Sequence, residues 1–97
     1  MITVNTLLWL WSGEGSSWHF LTIPPDESVE IRLESGASGM RRGFGSVRVK
    51  ASINGVAWTT SVFPQKSGAY LLPVKAAVRR DAGIAAGDAV TVSIELL

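Results

Sequence analysis

With 97 residues, the chain has room for one core and not two, and its 46% apolar and 18% charged content excludes a disordered or collagen-like polymer. The absence of cysteine removes disulfide staples, thiol catalysis and thiolate zinc sites, and His19, the single histidine, leaves no two-histidine metal site within the chain. A net charge of +1 is small for a nucleic-acid binder recognisable by charge alone, and no apolar run nears the ~20 residues of a membrane helix; with no basic leader at the start, a cytoplasmic location is expected.

Residues 4–11 are rich in Leu, Trp and β-branched side chains and lack helix caps, so they predict a strand that stops at the turn-forming Ser12-Gly13-Glu14-Gly15-Ser16. The next strand, residues 17–23, sets Trp18, Phe20 and Thr22 on one face and His19, Leu21 and Ile23 on the other, and either face could be core. Pro24-Pro25 ends it. Pro25, Asp26 and Glu27 suit a helix first turn, because proline has no N–H to leave unpaired and acids complement the positive dipole end. The helix is expected over residues 26–34 with Gly36 as its stop, although Val29, Ile31 and Leu33 alternate as a strand would.

Residues 46–53 alternate strictly, Asn54-Gly55 follows, and a second alternating run starts at Val56. Asn-Gly favours a two-residue type I′ turn, which needs positive φ at both positions and thereby fixes register. Ile53 then faces Val56, Ala51 faces Trp58, Val49 faces Thr60 and Val47 faces Val62 on the apolar side. On the other side Lys50 lies opposite Thr59, and Arg48 opposite Ser61. A short strand over residues 69–72 comes next, then a helix beginning at Pro73 with Val74, Ala77 and Val78 as its apolar stripe, Lys75 and Arg79 on another face, and Gly83 as its left-handed stop. Gly87-Asp88 turns the chain into a final strand over residues 89–97. Short strands, one tight hairpin and two short helices predict a single mainly β domain over residues 1–97, a small closed or nearly closed β-barrel.

Charge is distributed in blocks. Residues 1–40 hold Glu14, Asp26, Glu27, Glu30 and Glu34 against Arg32, whereas residues 41–80 hold Arg41, Arg42, Arg48, Lys50, Lys66, Lys75, Arg79 and Arg80 with no acid. Two complementary halves that neutralise each other on folding are the plainer reading, and an anion-binding face is the functional one. Gly43 and Gly45, preceded by Arg42, could hold an anion on bare backbone N–H groups, or simply form a bend where the barrel begins; no P-loop lysine follows. Arg48, Lys50, Thr59 and Ser61 combine cations and hydroxyls at the spacing a phosphate or carboxylate needs, or form an ordinary solvated strand face. The tryptophans Trp9, Trp11, Trp18 and Trp58 could line a ligand cavity, but core packing is the expectation in so small a chain. His19 has no acid or serine placed beside it by sequence, so no catalytic residue is assigned.

Several separated blocks resemble a known family. Arg42-Gly43-Phe44-Gly45-Ser46-Val47-Arg48-Val49-Lys50, then Asn54-Gly55-Val56 with Trp58, Tyr70-Leu71-Leu72-Pro73-Val74-Lys75 and Gly87-Asp88 look like the bacterial domain of unknown function 1905 family, as does the opening hairpin from Leu8-Trp9 to Ile23-Pro24. The resemblance implies a double-split β-barrel, shared in outline with AbrB and MazE-type DNA-binding domains, and brings no activity, cofactor or catalytic residues. The stretch from Leu72-Pro73 to Val92 is similar to the AbrB pattern, which implies that Lys75, Arg79 and Arg80 could meet phosphates. The leading expectation is a non-catalytic binding or regulatory module for a small anionic ligand or acidic partner, using Arg42, Arg48, Lys50 and Lys75, with no cofactor and no metal. The alternatives are an AbrB-like dimer on nucleic acid, and an enzyme built on a barrel-mouth carboxylate such as Glu14 or Glu34 or on a lysine of lowered pKa.

Overall fold

A computed structural model describes residues 1–37 and 45–97. The elements run β1 (Ile2–Gly13), β2 (Ser16–Ile23), α1 (Pro25–Ala37), β3 (Val47–Ile53), β4 (Val56–Pro64), β5 (Tyr70–Pro73), α2 (Ala76–Ala82) and β6 (Ala89–Leu96). The strands close a barrel in the order β1-β2-β5-β4-β3-β6, each paired antiparallel with its neighbours. β1 serves two partners: residues 2–7 pair with β6 and residues 8–13 with β2. The exchange occurs at Leu8, whose N–H donates to Asp88 O (3.0 Å) and whose carbonyl accepts from Gly87 N–H (2.7 Å).

The Asn54-Gly55 turn has φ of 50° and 81°, the positive values a type I′ turn requires. The register is therefore the expected one, with Ile53 opposite Val56, Ala51 opposite Trp58, Val49 opposite Thr60 and Val47 opposite Val62. Asn54 has a second task, because its side-chain amide donates to Ala82 O (2.9 Å) and satisfies a carbonyl that the end of α2 leaves free. Inside the barrel, Ile2, Val4 and Leu8 of β1 meet Leu21 and Ile23 of β2, Val49, Ala51 and Ile53 of β3, and Val90, Val92 and Ile94 of β6. Ile31 of α1 and Val78 of α2 join the same cluster.

The helices differ from the expectation at their ends. α1 begins at Pro25 and continues through Gly36 to Ala37, beyond the expected limit at residue 34. Its spacing is helical: Ile31 is fully buried, whereas Val29 and Leu33, which a strand would place on the same side as Ile31, are 43% and 68% exposed. Ser28 Oγ donates to Ile23 O (2.9 Å), and the Arg32 guanidinium donates to Gly68 O (2.6 Å), so polar bonds flank that one apolar anchor. α2 does not begin at Pro73, which ends β5 opposite Phe20; it begins at Ala76, with Lys75 extended at the N-cap. Proline is tolerated at such a strand end because its missing N–H costs no ladder bond in the interior. Gly83 ends α2 in the left-handed region (φ 70°), its N–H directed at Arg79 O and Arg80 O.

The expectation for the tryptophans holds only for Trp58. Inward positions on the first hairpin belong to Leu8, His19, Leu21 and Ile23, so alternation turns Trp9, Trp11, Trp18 and Phe20 outward. Trp11 and Trp18 face each other across the ladder, as do Trp9 and Phe20, and the ladder extends through Ser12↔Ser17 to Gly13↔Ser16, so Ser12, Gly13 and Ser16, expected in the turn, belong to the strands. Among the described residues, no helix is long and apolar enough to cross a membrane.

Candidate functional site: an opening in the barrel wall

β5 has four residues, enough to pair with residues 20–23 of β2 and with Phe63 and Pro64 of β4. Beyond Pro73, β2 and β4 continue with no described strand between them. The chain keeps one more backbone bond to β2, from Val74 N–H to His19 O (2.9 Å), and then turns into α2. The gap that results is a pocket of about 370 Å³. Ser17, Trp18 and His19 line it from β2, Trp58, Thr59 and Thr60 from β4, and Lys75 and Arg79 from the α2 side.

No carboxylate is among the lining residues. Lys75 is exposed at the N-cap, and Arg79 stands one turn later, its guanidinium fixed by a bond to Val74 O (2.7 Å). Lys75, in extended backbone just ahead of α2, and Arg79, within it, both line the pocket. Half-buried His19 has its pKa lowered, first by burial and then by the positive charge of Arg79. The pocket therefore presents two cations, three hydroxyls and an imidazole whose pKa is lowered, over a floor that includes buried Trp58. An anion placed here meets opposite charge and hydroxyl donors, and it offsets the lesser of the two causes that lower the His19 pKa, the charge of Arg79.

That linkage has a definite sign. The unfolded chain protonates its histidine before the folded one does, so the contribution of His19 to stability is full above pH ~6.5 and is lost as the pH falls below it. A bound anion favours the imidazolium, so sulfate binding is expected to strengthen over the same fall in pH. Substitution His19→Gln is expected to flatten both dependences, measured by urea unfolding and by calorimetric titration between pH 5 and 8; slopes unchanged from the parent would show that His19 does not titrate in the pocket.

Of the residues expected from sequence to bind the anion, Thr59 and Lys75 lie in this pocket, as do Arg79, raised through the AbrB likeness, and Trp18 and Trp58, weighed as cavity lining. Arg42 and Gly43 lie outside the described residues, and Gly45 stands just ahead of β3 with φ 78°. Arg48 and Lys50 project from the outer face of β3, with Ser61 beside Arg48 on β4, its Oγ 3.5 Å from the guanidinium. Lys50 faces Thr59 on one side and Glu95 of β6 on the other, so its surroundings include a carboxylate. Among the described residues, the acidic and basic blocks form no ion pair with each other within 4 Å; the ion pair there joins adjacent Arg80 and Asp81 on the surface. Ser17, His19 and Thr60 also line the pocket, although sequence assigned them no binding role. The Lys75–Arg79 spacing was a signal for the cationic face, but nothing local marks the gap that brings them to β2.

The family model described as Domain of unknown function (DUF1905) matches residues 5–94. The chain belongs to the DUF1905 family. A search of curated proteins finds no match. The family description assigns no chemistry, so in this DUF1905 chain the pocket has to be read from its own side chains.

Proposed function

We propose that this DUF1905 domain is a non-catalytic binding module for a small anionic ligand, held in the gap between β2 and β4. The observation that carries the reading is the lining itself: Lys75 and Arg79 beside a neutral His19, with hydroxyls of Ser17, Thr59 and Thr60 and no carboxylate. A carboxylate in the pocket would compete for the cations; neutral His19 can accept a proton, but among the described residues no hydrogen bond joins its ring to Ser17, Thr59 or Thr60, so the arrangement supports binding more than turnover. An AbrB-like grip on duplex DNA has less support, because Arg79 is turned back onto Val74 O rather than extended toward a groove.

Titration of ¹⁵N-labelled protein with inorganic phosphate at low salt tests the proposal. Amide shifts are expected at His19, Thr59, Lys75 and Arg79. Lys75→Ala and Arg79→Ala are each expected to weaken binding roughly tenfold, the scale of one charge-assisted hydrogen bond, whereas Arg48→Ala and Lys50→Ala leave it unchanged. Shifts centred on Arg48 and Lys50, or none anywhere, would refute the assignment.

A further inference from the structure

A second depression adjoins the cationic one. On the outer face of the first hairpin, Trp9, Trp11, Trp18, Phe20, Phe63 and Leu71 line an apolar groove of about 460 Å³, with Gln65 as a polar side chain among them. Trp18 lines both this groove and the cationic pocket, so the two share an indole as their common wall. The groove is held in shape before any ligand arrives. Trp9 Nε1–H donates to Thr22 Oγ1 (2.9 Å), Trp18 and Phe20 stack nearly parallel with centroids 6.2 Å apart, and the Trp11 indole lies against Gly13, where a Cβ would collide with the ring. Trp18 nevertheless remains 54% exposed, with ring surface open to a partner.

Aromatic rings fixed beside cations form a pattern that suits a planar ring joined to an anion, since stacking and charge are then satisfied by one molecule. Resting on the anion-binding reading above, we infer that the ligand is of the nucleotide class: its phosphate lies against Lys75 and Arg79, and its base stacks on Trp18 at the edge of the aromatic groove. The neutral His19 and the threonine hydroxyls then face the phosphate, and Gln65 offers amide hydrogen-bonding groups to whatever ring reaches further along the groove. Trp18 is the selective element, because a bare anion has no use for it.

Calorimetric and NMR titrations with three probes test this: inorganic phosphate, adenosine and adenosine monophosphate. Adenosine monophosphate is expected to bind at least tenfold more tightly than inorganic phosphate, the order of gain from one base–aromatic stack, and to shift the Trp18 indole N–H resonance, which phosphate leaves in place. Trp18→Ala is expected to remove the preference, weakening adenosine monophosphate at least tenfold more than it weakens phosphate, and Trp18→Phe to keep most of it. Equal affinity for phosphate and adenosine monophosphate would overturn the inference and leave the anion site standing. Failure of both to bind would overturn the two together. A dimer that Trp18→Ala converts to monomer, with no preference for adenosine monophosphate, would assign the groove to a second copy of the chain and overturn the inference as well.

Discussion

Replacing Trp58 with alanine is expected to lower the unfolding free energy by about 3–5 kcal/mol. The residue is 8% exposed, lies in the common core cluster, and stands opposite Ala51, whose single methyl leaves room for the indole across the β3–β4 ladder. With alanine on both strands, the site has no side chain able to reach into the space vacated, and the surrounding barrel can close only in part. Urea unfolding followed by far-ultraviolet circular dichroism measures the loss; a change below ~1 kcal/mol would mean that the indole is not packed inside. The same substitution removes part of the pocket floor, so ligand binding should be compared at concentrations of urea well below the transition.

Ile31→Ala is expected to cost about 2–5 kcal/mol, and Leu33→Ala within about 0.5 kcal/mol of nothing. Ile31 is the apolar side chain that α1 buries among those described, with Ser28 and Ser35 on the same inward side, so the seating of this helix on the barrel depends on it. Leu33 is 68% exposed. Two equal losses in parallel unfolding experiments would indicate the two-residue periodicity of a strand, and the reverse order would turn the helix over.

The contrast between β3–β4 and the pocket shows which features can be read from sequence. Asn54-Gly55 determines its own backbone geometry, and once the turn is fixed, every cross-strand neighbour from Ile53 and Val56 to Val47 and Val62 follows without reference to the rest of the molecule. The same local rule could not orient the first hairpin, because both faces of residues 17–23 are apolar enough to be core; only closure of the barrel, with Leu21 and Ile23 turned in, places Trp18 and Phe20 outside. Lys50 illustrates a further gap. Its hydroxyl neighbour Thr59 was legible from the hairpin, whereas Glu95 arrives from β6, 45 positions away in sequence, and changes the electrostatics of that face. The pocket depends on a still less local fact, the shortness of β5, which leaves β2 and β4 apart where His19, Lys75 and Arg79 meet.

Arg79 carries much of the electrostatic reading. Its bond to Val74 O holds the guanidinium at the rim instead of letting it extend into solvent, so its charge acts on His19 whether or not a ligand is present. Lys75 makes no such internal bond among the described residues and is free to close on an arriving anion, at some cost in side-chain entropy.

A crystal structure of the protein grown or soaked with inorganic phosphate is the most direct test of anion binding in the β2–β4 gap. Tetrahedral density within hydrogen-bond reach of Lys75 and Arg79, and absent from crystals of the Lys75→Ala Arg79→Ala double variant, is the expected result. Phosphate bound instead at Arg48 and Lys50 on the outer face of β3, or a gap that stays empty while the protein binds phosphate in solution, would contradict it.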